Sequence, residues 1–409
     1  MMAQPTTPGK ARHANPLHRR QIVNQPLLVA TLSVALLSSC NVQGDPAAPG
    51  SARETRAPAA SAPTFAVAEV ATFNEPWAMS FLPDGRLLVT EKRGALKLLK
   101  PGGKIATVTG TPAVDYGGQG GFGDVVPHPQ FASNGWIYLS YAEKGERDTR
   151  GAAVARARLT FDAEGGGALS ELRVIWRQVP KVDGRGHYGH RIAFGPDGKL
   201  WISSGERQHF DPAQDMRSNL GKVLRLNDDG STPADNPFVG QGPVSAQIWT
   251  LGHRNLLGMA FDAQARLWVA EMGPKGGDEL NLIERGRNYG WPKVSNGNHY
   301  DGSDIPDHDT APEFEAPKIS WTPVIAPASM IFYSGAVFPD WRGDALLAGL
   351  ASKALVRVEF DGDRAREAAR YDMGQRIREV EQGPAGEIWL LEDGPGGRLL
   401  KLSNPAPTP

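Results

Sequence analysis

The 409-residue chain has one cysteine, Cys40, and therefore cannot form a disulfide bond within itself. It also lacks a net charge, because 44 Lys and Arg residues face 45 Asp and Glu residues. Without a basic excess or an acidic tail, the chain has no electrostatic basis for binding nucleic acid. The composition therefore argues against nucleic acid as a partner and favours a small molecule or another protein.

The N-terminal region has no apolar run long enough to cross a bilayer, which takes about 20 residues. The run PLLVATLSVALL is shorter, and it follows a basic segment at residues 10–20, as in a secretory signal peptide. It ends in LSSC, which resembles the lipobox of bacterial lipoproteins: a leucine, two small residues and a cysteine. That resemblance implies cleavage before Cys40 and lipidation of its thiol. An ordinary signal peptide with an incidental cysteine is the alternative.

These features divide the chain into four segments. We predict a lipoprotein signal peptide at 1–39, a disordered tether rich in Ala, Pro, Ser and Gly at 40–63, a folded domain at 64–403 and a loose tail at 404–409. Asn41 stands where many inner-membrane lipoproteins have a retention aspartate. We therefore expect an exported protein, either periplasmic or lipid-anchored to the periplasmic side of the outer membrane, whose only membrane contact is the anchor.

Amphipathic helical patterns are nearly absent from residues 64–403, whereas 48 glycines and 33 prolines favour a turn-rich β fold. A polar turn followed by an alternating apolar strand recurs six times at unequal spacings. The six copies begin at Phe81, His128, Phe194, Phe261, Phe338 and Gly383. Six similar small sheets predict an all-β, six-bladed β-propeller, and a pair of β-sandwiches is the alternative.

Long insertions between these units carry the unusual side chains. The loop GRGHYGHR contains His187 and His190. A histidine that is neutral near pH 7 can act as a general base, although a structural role is equally compatible with a loop position. Arg254 and Asn255 follow the apolar strand IWTLG, where polar residues either form a site or hydrogen bond between blades.

Two arginines, Arg376 and Arg378, alternate in an extended segment and should point to the same side. Neighbouring guanidinium groups repel each other unless an anion lies between them. A carboxylate-rich ligand would supply that anion, and so would Glu379 and Glu381.

The stretch GPKGGDE, residues 273–279, combines free backbone carbonyls with the carboxylates of Asp278 and Glu279. Carbonyl and carboxylate oxygens are the ligands that Ca²⁺ prefers. A buried aspartate bonded to backbone amides would give the same pattern, so the local composition leaves both interpretations open.

Eight segments, taken together and in this order, resemble the soluble pyrroloquinoline-quinone (PQQ) dependent aldose sugar dehydrogenases, also called the glucose/sorbosone dehydrogenase family. The resemblance covers about residues 70–402, and members of that family are six-bladed propellers. The segments are EPWAMSFLPDGRLLVTEKRG, GGQGGFGDVVPHPQF, HYGHRIAFGPDGKLW, LGKVLRLNDDGSTPADNPF, LGHRN, GPKGGDELNLIERGRNYGWP, APASMIFYSGAVFPDW and RIREVEQGPAGEIW.

The resemblance implies PQQ and Ca²⁺ as cofactors, an aldose as substrate and a periplasmic electron acceptor. The aldose would be oxidised at C1 to an aldonolactone. His187 takes the place of the catalytic base, which removes the anomeric hydroxyl proton as hydride passes from C1 to the quinone. Arg254 would stabilise negative charge on the quinone oxygen. The implied cofactor contacts are Gln119, Arg254, Asn255, Lys353, Arg376 and Arg378.

The resemblance also implies two calcium sites. The carbonyls of Gly273 and Pro274 would ligate the Ca²⁺ that polarises the cofactor. Glu279 and the carbonyl of Tyr289 would belong to a second, structural site.

The chain departs from the family pattern at several positions. Leu256 and Leu257 replace the polar part of HRNPQG, and Met272 replaces the histidine of EHGP. His190 stands where the family usually has a small residue. These changes predict an altered substrate preference or cofactor affinity, and loss of cofactor binding is the alternative.

Two other functions are compatible with this sequence. A non-catalytic propeller lipoprotein that binds a sugar or a protein need not bring His187, Arg254, Arg376 and Arg378 to one pocket. A Ca²⁺-dependent lactonase requires carboxylates around a metal on the central axis.

Overall fold

The computed structural model describes residues 65–163 and 165–404. The predicted signal peptide, the lipidation site Cys40 and the tether lie outside the described residues, as does the tail beyond Asn404. Within the described ranges, no helix has the length and apolar character needed to cross a membrane.

The described residues form an all-β structure, as predicted. The strands, in chain order, are β1 Ala66–Asn74, β2 Pro76–Phe81, β3 Leu87–Glu91, β4 Ala95–Leu99, β5 Ile105–Thr109, β6 Phe122–Pro127, β7 Trp136–Lys144, β8 Arg150–Phe161, β9 Gly167–Arg177, β10 Gly189–Phe194, β11 Leu200–Ser204, β12 Lys222–Leu226, β13 Ile248–Leu251, β14 Leu256–Phe261, β15 Leu267–Glu271, β16 Lys275–Gly276, β17 Asp278–Leu282, β18 Gly297–Asn298, β19 Ile319–Trp321, β20 Pro327–Phe332, β21 Ala345–Gly349, β22 Ala354–Asp361, β23 Arg364–Asp372, β24 Ile377–Gln382, β25 Ile388–Glu392 and β26 Pro395–Ser403.

Helices are short and few in the described part of the chain. One α-helix, α1, spans Phe131–Asn134, and 3₁₀ helices span Asp211–Gln214, Ser245–Gln247, His308–Thr310 and Pro339–Trp341. The scarcity of amphipathic patterns in the sequence is therefore matched by the structure.

The strands form four sheets of four strands, ordered β1-β26-β25-β24, β10-β11-β12-β13, β14-β15-β17-β19 and β20-β21-β22-β23. An eight-stranded sheet, β2-β3-β4-β5-β9-β8-β7-β6, and the short pair β16-β18 complete the set. Only β5 and β9 pair in parallel within the eight-stranded sheet, at Val108↔Gly167 and Thr109↔Ala168. Two antiparallel four-stranded halves meet there. Strand β1 pairs with β26, so both ends of the described chain share one sheet.

Each predicted repeat is a hairpin that opens one four-stranded unit. The six hairpins are β2–β3, β6–β7, β10–β11, β14–β15, β20–β21 and β24–β25. In the β10–β11 hairpin, Gly198 has φ 72°, a conformation that favours glycine, and the Gly195 N–H donates to the Lys199 carbonyl at 2.9 Å. The polar turns recognised in the sequence therefore set the register of these pairs.

The first strands of the six units contact one another in a closed ring, in the order β2, β6, β10, β14, β20, β24 and back to β2. Each of the six is offset by one residue against its hairpin partner near its start, as in a β-bulge. The first residues of these offsets are Trp77, Gly123, His190, Leu257, Ala328 and Arg378. Bulges redirect side chains, and four of these six line the same cavity.

The core lies between neighbouring sheets. Trp268 of β15 is fully buried, and its ring centroid is 4.8 Å from that of Phe360 on β22. Truncating a buried aromatic side chain of this size costs about 3–5 kcal/mol of folding free energy. This packing holds the inner strands, and the loops that precede them, in fixed positions.

Candidate functional site

A cavity of about 380 Å³ lies at the end of the ring where the inner strands begin. It is lined by Glu75, Trp77, Lys92, Gly118, Gln119, Tyr188, Gly189, His190, Asn255, Leu257, Met272, Ala326, Leu350, Arg376, Arg378, Asp393 and Gly394. Four of the predicted cofactor contacts, Gln119, Asn255, Arg376 and Arg378, are among these residues. We refer to it as the upper cavity.

The two arginines share a carboxylate that the sequence reasoning missed. Arg376 Nε donates to Asp393 Oδ2 at 2.9 Å, and Arg378 donates to Asp393 Oδ1 from Nε and Nη2 at 2.9 and 2.8 Å. Burial alone would raise the pKa of Asp393, but the charge of Arg378 and the hydrogen bonds outweigh it, and the pKa is lowered. The proposed pairing with Glu379 and Glu381 is therefore wrong, since the intervening anion is Asp393.

A third cation, Lys92, was also missed by the sequence reasoning. Its Nζ donates to the Gly118 carbonyl at 3.0 Å, and burial together with the charge of Arg378 lowers its pKa. Three cationic side chains thus line the upper cavity against the carboxylates of Glu75 and Asp393. The excess of positive charge suits an anionic ligand.

One wall of the upper cavity is apolar. Trp77, Ala78 and Leu257 pack together with Met272 against them. The Nδ2 of Asn255 lies 3.8 Å from the Met272 sulfur. The family departures at Leu257 and Met272 therefore face the cavity, whereas Leu256 is buried in the core with Trp201 and Val223.

His187 lies beside the upper cavity and is paired with Glu206. Its backbone N–H donates to Gln119 Oε1 at 2.8 Å, and the next three residues line the cavity. Its Nδ1 hydrogen bonds to Glu206 Oε1, and both side chains are buried. The Glu206 Oε2 also accepts the Phe210 N–H at 2.9 Å, which fixes the carboxylate.

The electrostatics of this pair favour a neutral imidazole. Burial lowers the pKa of His187 and the charge of Arg254 lowers it further, whereas the hydrogen bond to Glu206 raises it. Burial would raise the pKa of Glu206, but the bond to His187 outweighs this and the pKa is lowered. With the Nδ1 proton shared with an ionised carboxylate, Nε2 carries the lone pair, as in an oriented general base.

Glu206 could have been found from the hairpin register. Gly189 of β10 pairs with Ser204 of β11, so the residues two positions beyond each, His187 and Glu206, leave the hairpin side by side. An acid at the end of WISSGE is therefore the expected partner of the loop histidine.

Arg254 lies next to the upper cavity without lining it. Its Nη1 donates to the carbonyls of Met272 and Gly273 at 2.9 and 2.6 Å, and its Nη2 to the Tyr300 hydroxyl at 3.1 Å. Its backbone carbonyl accepts the Glu206 N–H at 2.9 Å. Arg254 is therefore connected to the His187–Glu206 pair through the backbone of Glu206. The Nε of Arg254 is buried without a partner in the described structure.

The predicted cofactor-side metal ligands are partly engaged by protein groups. The Gly273 carbonyl accepts from Arg254, and Asp278 accepts the N–H groups of Gly273 and Ala326 at 2.8 and 2.6 Å. Burial raises the pKa of Asp278 to about 6. The alternative interpretation, a buried aspartate bonded to backbone amides, therefore describes Asp278.

A smaller pocket contains the other predicted metal residues. Glu279 and Tyr289 line it with Glu271 and Arg254. Burial and the nearby charge of Glu271 raise the pKa of Glu279 well above its usual value. Two buried carboxylates with backbone carbonyls form an all-oxygen set of the kind that Ca²⁺ prefers, in which Glu279 is the freer carboxylate because both oxygens of Glu271 already have hydrogen-bond partners. The Tyr289 carbonyl hydrogen bonds to His308 Nε2 at 3.1 Å.

Of two further residues, Lys353 lies outside the upper cavity and His190 lines it. Lys353 is exposed with φ 53°, and the residue of its loop that lines the upper cavity is Leu350. His190, which the sequence left without a role, is buried and lines that cavity.

Comparisons with known proteins show which family and which solved structures the chain is similar to. The Glucose / Sorbosone dehydrogenase family profile matches residues 73–401. The aldose sugar dehydrogenase YliI of Escherichia coli is 39% identical over 337 residues, which cover 81% of this chain and 90% of that protein. The apo crystal structure of the E. coli aldose sugar dehydrogenase has a TM-score of 0.79 and 37% identity, covering 84% of this chain and 100% of its own. The PQQ-bound aldose sugar dehydrogenase of Streptomyces coelicolor has a TM-score of 0.67 and 28% identity, covering 84% and 99%.

Proposed function

The chain belongs to the glucose/sorbosone dehydrogenase family, and we propose that it oxidises aldose sugars at C1 to aldonolactones with PQQ and Ca²⁺ as cofactors. The observation that carries this proposal is the upper cavity, where Gln119, Asn255, Arg376 and Arg378 converge beside the His187–Glu206 pair. The reaction suits a sugar dehydrogenase family whose PQQ-bound relative shares this fold.

We propose that the fold is a six-bladed propeller. Its support is the ring of six inner strands, each of which starts a four-stranded unit. On this proposal the eight-stranded sheet is two blades joined by β5 and β9, and the blade formed by β24, β25, β26 and β1 closes the ring.

The upper cavity fits PQQ, a flat quinone with three carboxylates. Its cationic side chains would hold the carboxylates, and the wall formed by Trp77, Leu257 and Met272 would cover a flat face. Bound PQQ supplies the two-electron acceptor for the C1 hydride, and bound Ca²⁺ polarises it. Hydrogen bonds to Asp393 fix the positions of the two arginines.

The chain's own residues supply the proton chemistry. His187 Nε2 accepts the anomeric hydroxyl proton, and Glu206 holds the ring in the tautomer that leaves Nε2 free. Arg254 supplies a fixed positive charge next to this pair. Glu279 and the Tyr289 carbonyl, with Glu271, would hold a structural Ca²⁺, and the Gly273 and Pro274 carbonyls the Ca²⁺ at the cofactor.

We also propose export as a lipoprotein through Cys40, with electrons passing to a periplasmic acceptor. Metabolic labelling with a radioactive fatty acid tests the anchor, since the wild type should be labelled and Cys40→Ser should not. Labelled Cys40→Ser would contradict the assignment of the lipidation site.

Reconstitution tests the activity. The purified apoprotein should bind PQQ in the presence of Ca²⁺, with a change in the cofactor spectrum, and then reduce a dye with a panel of aldoses. His187→Ala should lower kcat by about 10²–10⁴-fold while PQQ still binds. Absence of both the spectral change and dye reduction would overturn the function, and full activity of His187→Ala would overturn the assignment of the base.

A further inference from the structure

His190 lines the upper cavity and has no partner for either ring nitrogen. Its side chain is 3% exposed, and neither Nδ1 nor Nε2 has a hydrogen-bond partner in the described part of the chain. Its ring stacks on Tyr188 with centroids 5.2 Å apart and an interplanar angle of 11°. The ring of Trp77 meets it edge-on at 5.8 Å and 86°. The imidazole is therefore held in one orientation between two aromatic rings.

The fold directs this side chain toward the cavity. His190 and Arg191 together oppose Ser203, because the β10–β11 register shifts between Gly189 and Ile192, and His190 has φ 81°. A Cβ built on Gly123 would lie 2.8 Å from both Cβ and Cγ of His190. The absence of a side chain at Gly123, the corresponding position of the neighbouring strand, thus makes room for the imidazole.

The imidazole is neutral at neutral pH. Burial lowers the pKa of His190 to about 3, and the charges of Arg207, Arg191 and Lys92 act in the same direction. A neutral imidazole offers one N–H donor and one acceptor nitrogen. Buried polar atoms are normally hydrogen bonded, so a group that enters the cavity, either a water or a ligand, would complete the hydrogen bonding of these two nitrogens.

We propose that His190 is a cofactor-binding residue, whose imidazole hydrogen bonds directly to the quinone cofactor in the upper cavity. The inference rests on the proposed function, and it adds a contact at a position where the family pattern has a small residue. The nearby Tyr188 hydroxyl, also buried without a partner in the described structure, offers a second donor to the same region. A quinone with carbonyl and carboxylate oxygens supplies acceptors for both groups.

A packing role is the competing explanation. His190 would then only fill the space between Tyr188 and Trp77, and phenylalanine would serve as well. The two explanations differ in what the ring nitrogens do, so His190→Phe and His190→Gln separate them. Glutamine keeps a donor and an acceptor but loses the ring.

The test is a titration of the apoprotein with PQQ in excess Ca²⁺. Binding is measured from the quenching of tryptophan fluorescence and from the change in the cofactor spectrum. His190→Phe should raise the Kd for PQQ about tenfold, the factor expected for one lost hydrogen bond. His190→Gln should stay within about threefold of the wild type. The matched control is His128→Phe, because His128 Nδ1 accepts the Gln130 N–H at 3.0 Å and its ring does not line the cavity. That control should bind PQQ as the wild type does.

The apoprotein's melting temperature gives a second readout. His190→Phe removes two unpartnered nitrogens, so its melting temperature should equal or exceed that of the wild type. His128→Phe loses hydrogen bonds that the wild type forms at Nδ1, so its melting temperature should be lower. If His190→Phe does not fold, His190→Ala against His190→Gln makes the same binding contrast. Wild-type affinity in His190→Phe, or in His190→Ala, would overturn the inference alone. A wild type that does not bind PQQ would overturn the proposed function and the inference with it.

Discussion

Two cavities of similar size lie along the ring of inner strands, and they differ in the ionisable groups that line them. The upper cavity, about 380 Å³, has Lys92, Arg376 and Arg378 against Glu75 and Asp393. The lower cavity, about 360 Å³, is lined by residues of all six inner strands. An anionic cofactor should therefore enter the first cavity, where cationic groups outnumber carboxyl groups, and not the second, where one cation faces three carboxyl groups.

The lower cavity contains the carboxylates of Asp124, Glu379 and Glu381 against the single cation Arg191. Arg191 Nη1 lies 2.6 Å from Glu379 Oε2 and 3.6 Å from Asp124 Oδ1. Burial raises the pKa of all three carboxyl groups, that of Glu381 to about 8.

Neighbouring residues of the same strands line the two cavities. Arg378 and His190 line the upper cavity, and the residues that follow them, Glu379 and Arg191, line the lower one. In both strands a register shift lies at this point. Two consecutive residues of one strand can therefore place their charged side chains in different cavities.

The lower cavity also bears on the lactonase alternative. Its three carboxylates near the ring centre are what that function requires. However, Arg191 pairs with two of them, and within residues 65–163 and 165–404 no group of three or more His, Cys, Asp or Glu side chains is arranged to hold a metal ion. The charges of the upper cavity favour the dehydrogenase instead.

The largest effect on the comparison should come from removing the excess of positive charge in the upper cavity. Arg378→Met should weaken PQQ binding about 100-fold, because it removes a cation that the cofactor carboxylates need and leaves the half-buried Asp393 with one fewer cationic partner. The measurement is the PQQ titration in excess Ca²⁺. Arg217→Met, an exposed arginine paired only with Asp215 in the described structure, is the control. Equal Kd values for the two variants would remove the electrostatic distinction between the cavities.

The next effect concerns Glu206, a positioning residue. Glu206→Gln should lower kcat about 10- to 100-fold, because the charge that orients His187 is lost. The hydrogen bond to Glu206 raises the pKa of His187, so removing it should lower that pKa further. The acidic limb of the pH–rate profile should therefore move to lower pH. A loss of activity with an unmoved limb would mean that Glu206 only supports the fold.

The site was predictable from sequence to the extent that it depends on local order. The hairpins follow from polar turns (Asp-Gly, Asn-Gly or a variant) and from apolar alternation, and Gln119, Asn255, Arg376 and Arg378 do line one cavity. Asp393 and Lys92 could not be found, because their contacts join residues distant in sequence. The β5–β9 pairing and the register shifts were equally invisible, since neither leaves a periodic pattern in the sequence.

The lower cavity gives a smaller effect, on stability. The pKa of Glu381 is about 8 in the folded protein and about 4.3 in an unfolded chain, so between these pH values the folded protein binds more protons. The contribution of the Glu381 carboxyl group to the free energy of unfolding therefore falls as the pH rises through that window. Glu381→Gln, which cannot ionise, should raise Tm by about 2–4 °C more at pH 9 than at pH 5.

The control for this variant is Glu146→Gln on the exposed surface, which should show the same Tm difference from the wild type at both pH values. PQQ affinity of Glu381→Gln should stay within about twofold of the wild type. A large loss of affinity would show that the two cavities are not independent.

The smallest effect on the Kd for PQQ is expected at Lys353, and it tests which residues belong to the upper cavity. Lys353 is exposed on a loop whose cavity-lining residue is Leu350, so Lys353→Ala should change the Kd for PQQ by less than about twofold. Lys92→Met should change it about tenfold, because Lys92 lines the cavity beside Arg378. The same titration compares the two variants. If Lys353→Ala has the larger effect, the loop must move toward the cavity when the cofactor binds, and the family-derived contact would be restored.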